Sequence, residues 1–116
     1  MKYMLAFVPP DRLDALVEEL SERHVHGLSM SQAQGFGQEH DPLHPEHRDH
    51  AGVDLVHKMR VEIVCRDAEV DDLLAAFYQA AHTGRPGDGK VFVIDVEDAF
   101  RLKTGERGEA AIGPPR

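Results

Sequence analysis

Between Lys58 and Cys65 the chain alternates. Met59, Val61, Ile63 and Cys65 fall on one side, and Lys58, Arg60 and Glu62 on the other. That is the two-residue period of a strand with one buried face. "KYMLAFV" has the length and residue types of a buried strand, stopped by Pro9-Pro10. Leu13, Leu16, Val17 and Leu20 follow at helical spacing, with Pro10 and Asp11 suited to the first turn and Gly27 to the exit. "LSMSQAQ" alternates as a second strand and runs into Gly35-Phe36-Gly37. From Asp67 a second helix places Val70, Leu73, Leu74, Phe77 and Ala81 on one stripe. "TGRPGDGK" is a glycine-rich loop, "VFVIDV" a fourth strand, and "IGPPR" a tail expected to fray. The order strand, helix, strand, long loop, strand, helix, strand predicts an α+β fold of the ferredoxin-like split βαβ type. Its antiparallel sheet should carry two helices on one face.

Length and charge narrow the function. A chain of 116 residues is read as one domain over 1–112, with a tail at 113–116. A net charge of −8 argues against a nucleic-acid partner, because phosphate backbones are held mainly by Lys and Arg. A mononucleotide needs only a local basic cluster. The single cysteine, Cys65, rules out an internal disulfide framework. The apolar run at the N-terminus is too short to span a membrane and has no signal-peptide layout, so a cytoplasmic location is expected.

Gly87-Asp88-Gly89-Lys90 precedes a strand, unlike the helix-opening phosphate loops. Its glycines allow close backbone approach to phosphate oxygens, and Lys90 adds a charge. Arg101, Lys103 and Arg107 form a basic cluster downstream. Taken alone, the same loop also reads as a tight turn needing positive φ.

Three segments resemble the PII signal-transduction proteins. They are "TGRPGDGKVFVIDVEDAFRLKTGERGEAAI" (Thr83–Ile112), "HGLSMSQAQGFG" (His26–Gly37) and "KMRVEIV" (Lys58–Val64). The resemblance implies a regulatory homotrimer, not an enzyme, with adenine nucleotide (ATP, ADP or AMP) bound between subunits. It also implies that the long loop at 37–57, the T-loop, engages a target protein such as a membrane transporter. Carried over by position, Gly87, Asp88, Gly89 and Lys90 would cradle phosphates, with Gly35, Gly37, Gln38 and Val64 on the same subunit's side. Ser29, Glu62, Arg101 and Lys103 would come from the neighbouring chain. Lys58 stands where the family pairs a lysine with 2-oxoglutarate.

Several positions depart from the family pattern. Gln38-Glu39 replaces the usual Arg-Gln, which removes a phosphate-binding charge. Lys103 stands where Arg is common and lacks its bidentate fork. Glu39 can still hold Mg²⁺ beside a nucleotide, but it would repel a dicarboxylate, so a weak or absent 2-oxoglutarate response is expected. The uridylylated tyrosine segment of enteric members is missing: "EHRDHA" occupies its place, and the only tyrosines are Tyr3 and Tyr78.

Four histidines, His40, His44, His47 and His50, lie within eleven residues of the long loop. Pro42 and Pro45 argue against a continuous helix there. Two readings stand: a loop that folds around Zn²⁺, Ni²⁺ or Cu²⁺ with Asp41, Glu46 or Asp49 as further ligands, or a solvated arm. A metal-binding or bicarbonate-linked regulatory module is thus the alternative to the nucleotide regulator. A nucleotide hydrolase is disfavoured, since only Glu39 and Asp88 could serve as bases and no nucleophile–base pair is visible.

Overall fold

The alternation from Lys58 to Cys65 appears in the computed structural model, which describes residues 1–25, 27–36 and 55–114, as the central part of a ten-residue strand. In chain order the elements are β1 (Lys2–Val8), α1 (Leu13–Glu22), β2 (Ser29–Gly35), β3 (Val56–Cys65), α2 (Val70–Ala81), β4 (Lys90–Asp95) and a short α3 (Glu109–Ile112). The sheet order is β2-β3-β1-β4, antiparallel at every pairing. With both helices on one face, this is the expected ferredoxin-like arrangement.

The covered face of the sheet carries Met4, Ala6 and Val8 from β1 and Val61, Ile63 and Cys65 from β3. Leu16 and Leu20 of α1 and Leu73, Ala76, Phe77, Ala80 and Ala81 of α2 close over them. Each fully buried Leu contributes about 1.5–3 kcal/mol of transfer free energy. Among the described residues, no polar or charged side chain is buried. Burial pushes the Cys65 thiol above its ordinary pKa, as expected of an inert core cysteine.

Helix α1 begins after a 3-10 turn at Pro10–Arg12, where proline pre-sets the backbone. Its exit corrects the expectation for Gly27. His24 takes the left-handed conformation at φ 58°, with its N–H on Ser21 O at 3.1 Å and the Val25 N–H on Leu20 O at 3.3 Å. That pair of bonds is a Schellman motif, and its apolar position is Val25, which packs on the core. The side chain that could be buried decided where the helix ends, three residues before the glycine.

The open face is arranged in rows set by the strand register. Ser31, Arg60, Phe7 and Lys90 form one row; Ser29, Glu62, Leu5 and Phe92 the next; Val64, Tyr3 and Ile94 the third. Phe92 and Ile94 are each about half exposed. No helix among the described residues is long and apolar enough to cross a membrane.

Candidate functional site

Among the described residues, most of the predicted site residues gather at two diagonally opposed corners of the open face. At the β4 corner, the Asp88 carboxylate turns inward onto its own loop. Oδ2 accepts the N–H groups of Thr83 at 2.7 Å and Gly84 at 2.9 Å, and Oδ1 accepts the Thr83 hydroxyl. His82 Nδ1 stands 3.7 Å from Oδ2. Desolvation is the largest single influence on Asp88 and pushes its pKa up. The hydrogen bonds from Thr83 and Gly84, with the charge of His82, outweigh it and leave the carboxyl below its usual range. Asp88 therefore shapes the loop, rather than presenting a negative charge to a phosphate.

The glycines on either side have positive φ, 97° at Gly87 and 99° at Gly89. A Cβ at Gly89 would stand 1.8 Å from the Phe7 carbonyl oxygen, so only glycine fits there. The lysine of β3, Lys58, donates to the Gly87 carbonyl and ties the loop to the strand that leaves the long connection. Lys90 opens β4 opposite Phe7, and Gly35 closes β2 opposite Val56. The tight-turn and phosphate-loop readings are compatible, since the conformation that demands glycine also brings backbone close to whatever binds there.

The second corner lies where β2 begins and β3 ends. Ser29 and Glu62 are direct cross-strand partners, and Val64 follows two residues on along the same face. All three line a cavity of about 1090 Å³, walled on the far side by Glu109, Ala110 and Gly113. The placement groups Val64 with Ser29 and Glu62, not with Gly35 and the glycine loop. Tyr3 Oη donates to Glu62 Oε2 at 2.6 Å, and Arg60 Nε lies 3.2 Å from Oε1. Tyr3 and Arg60 were not legible as site residues, because their link to Glu62 depends on which strands become neighbours.

Arg101 is drawn into the C-terminal wall. Its Nη2 donates to the carbonyls of Ala110 at 3.2 Å, Ala111 at 3.2 Å and Gly113 at 2.7 Å, and its side chain is only 14% exposed. These bonds satisfy the last carbonyls of α3, and a phosphate would have to compete for the same guanidinium. They also hold Gly113, the first residue of the expected tail. Lys103 is exposed beside Leu102, a residue that is 92% exposed. Arg107 pairs instead with Asp98, which also accepts the Ala99 N–H at 2.8 Å and the Gly108 N–H at 3.2 Å.

Gly37, Gln38, Glu39, His40, His44, His47 and His50 lie outside the described residues. Among the described residues, no group of three or more His, Cys, Asp or Glu could hold a metal ion.

The family described as "Nitrogen regulatory protein P-II" matches residues 1–106. Proteins named nitrogen regulatory protein P-II from Azospirillum brasilense and Rhodospirillum rubrum are 39% and 40% identical over 112 residues. One from Pasteurella multocida is 38% identical over the same length. Each alignment spans 97% of this chain and the whole of the relative. With the family match, the shared length and the ferredoxin-like sheet in agreement, the chain belongs to the nitrogen regulatory protein P-II family.

Proposed function

We propose that the chain is a cytoplasmic homotrimeric regulator that binds adenine nucleotide between subunits. The nucleotide state would be passed to a target protein, such as a membrane transporter, through residues 37–57. P-II proteins are regulatory signalling proteins, so the chain is a regulator and not an enzyme. The observation that carries the reading is the Asp88-anchored glycine turn, fastened to Lys58 and followed by Lys90. It puts two cations and glycine backbone together next to the end of the long loop.

The layout of the corners supports the inter-subunit part. Three strand spacings, about 14 Å, separate β2 from β4, with the side chains of β3 and β1 between them. Each corner is then half a site, and two copies set corner to corner would join the glycine turn of one to the Ser29–Glu62 cavity of the other. Apolar Phe92, Ile94 and Val64 on the open face supply surface that an assembly would bury. A ligand touching both the turn and the base of the loop would favour one loop arrangement over others, which a partner can read.

The relatives' name ties them to nitrogen regulation. Here Gln38 and Glu39 point to a weaker hold on a third phosphate and a weak or absent 2-oxoglutarate response. Strong ATP-dependent 2-oxoglutarate binding would refute this. A second input through His40, His44, His47 and His50 is carried by their spacing, and Glu39 is the position for Mg²⁺ beside the nucleotide. Metal-stripped protein that gave no heat with Zn²⁺ or Ni²⁺ would sink the histidine reading.

The deciding experiment is calorimetric titration of metal-stripped protein with ADP, alongside a measurement of assembly mass. Saturable binding near one site per subunit of a trimer is expected, lost in Lys90→Ala. No ADP binding by calorimetry and by an orthogonal assay would overturn the nucleotide reading and bring the metal-linked or bicarbonate-linked module forward.

A further inference from the structure

His82 joins helix α2 to the glycine turn through both its backbone and its ring. Its N–H donates to Tyr78 O at 2.9 Å and closes the helix. Its imidazole stacks on the Tyr78 ring, with centroids 4.4 Å apart and planes 14° from parallel. The same imidazole lies over the turn, since a Cβ at Gly84 would come within 3.9 Å of its Cε1. Its Nδ1 stands 3.7 Å from Asp88 Oδ2, too far for a hydrogen bond but close enough for a charge contact. That oxygen already accepts from Thr83 and Gly84, so the imidazole can add charge to the anchor but no further bond. The contact is therefore complete only when the ring carries a proton. An imidazolium there would also meet the electron-rich face of Tyr78 and the C-terminal carbonyls of α2, whose last turn holds no basic residue. Among the described residues lining the cavity of about 330 Å³ beside the ring, Lys90 is the remaining titratable group. There β1 presents Val8, and α2 presents Leu74, Phe77 and Ala81 besides Tyr78. Arg85 is exposed in the same turn.

We propose that His82 is a positioning residue that makes nucleotide binding respond to pH. Protonated and held against Tyr78, it pins the Asp88 carboxylate and, with it, the backbone of Gly87 and Gly89. The inference rests on the nucleotide reading and deepens it by adding a proton as an input. His82 itself does not touch the nucleotide. A phosphate on the turn would favour the pinned arrangement and offset the repulsion between the imidazolium and Lys90. Proton and nucleotide then each strengthen the binding of the other.

The test is calorimetric titration with ADP from about pH 8 to about pH 6 at low salt. It uses the full-length protein and its His82→Gln and Tyr78→Leu variants. Glutamine keeps the backbone N–H that closes α2 and carries no charge at any pH. The terminal phosphate of ADP takes up a proton near about pH 6, which weakens binding to every variant alike. The readout is therefore the affinity of the wild type relative to His82→Gln at each pH. That ratio is expected to be about one at the alkaline end and about two- to fivefold at the acid end. Tyr78→Leu frees the imidazole from its stack and should lose most of the acid-side gain. Adding Asp88→Asn to both wild type and His82→Gln should make their ratio independent of pH, because the charge that the imidazolium acts on is gone. A wild-type ratio that does not change with pH overturns the proposal, leaving His82 as a helix cap and the nucleotide reading intact. A full acid-side gain in Tyr78→Leu overturns it equally, and decides the matter if His82→Gln does not fold. Wild-type protein that binds no ADP at any pH overturns both readings.

Discussion

The two corners of the open face are built from different materials. At the β4 corner the groups that matter are backbone, held by glycine conformations and by one carboxylate that closes its own turn. At the β2–β3 corner they are side chains, held by other side chains on neighbouring strands. A backbone-built corner has almost no tolerance for substitution, because moving one Cα moves every amide after it. A corner built from side chains can lose a member and keep its shape, changing what it prefers to bind more than whether it folds.

The sharpest contrast is between two glycines. Gly89→Ala would push a Cβ into the Phe7 carbonyl and force φ near 99° on a residue that avoids it. A loss of about 3 kcal/mol or more is expected, with displacement of the turn and loss of ADP binding. Gly27→Ala at the other corner has nothing within 4 Å of the new Cβ and should stay within about 0.5 kcal/mol of the parent. Urea denaturation of both variants checks this, and similar midpoints would erase the distinction.

Asp88→Asn is a milder probe of the same turn. The amide oxygen can replace one carboxylate oxygen, but the ring of three donated bonds loses its charge assistance. A cost of about 1–2 kcal/mol is expected at neutral pH. The folded state holds this carboxyl below its usual value, so the unfolded chain binds the proton more readily. The stabilisation is therefore complete above the ordinary carboxylate range and is lost as pH falls through the lower, folded value. Stability measured from neutral pH into that range should fall less steeply in Asp88→Asn than in the parent. Parallel acid limbs would mean that Asp88 is not the anchor.

The same difference of materials governs what could be read from the sequence. The β3 alternation, the α1 stripe and the α2 stripe were legible, because burial imposes a period on neighbouring residues. The glycine turn was legible as a motif, since few residues tolerate its backbone. β4 was legible as a strand but not as an edge: "VFVI" is apolar throughout, and only the sheet order shows that Phe92 and Ile94 face outward. The helix exit at His24 was missed because Gly27 advertises a cap more loudly, whereas the apolar contact of Val25 decides it. Helix α3 is too short for a period, and Arg101, which closes it, sits before the turn. Tyr3 and Glu62 are 59 positions apart and meet only through register, so no local pattern could join them.

Ser29→Thr is the smallest change that still bears on the second corner. Ser29 is an exposed strand residue directly opposite Glu62. Threonine keeps the hydroxyl, adds a methyl suited to a pleated surface, and stiffens χ1. If the corner works by fixed side chains, restricting the hydroxyl beside an already fixed carboxylate should help modestly. ADP affinity is expected to rise about twofold, with stability higher by a few tenths of a kcal/mol. The gain should also depend on Tyr3: in a Tyr3→Phe background Glu62 is less ordered, and fixing its neighbour should bring less. Calorimetry on the single and double variants measures that coupling. An equal gain in both backgrounds would make Ser29 and Glu62 independent, and the corner would then be a set of separate contacts rather than a single pre-arranged wall.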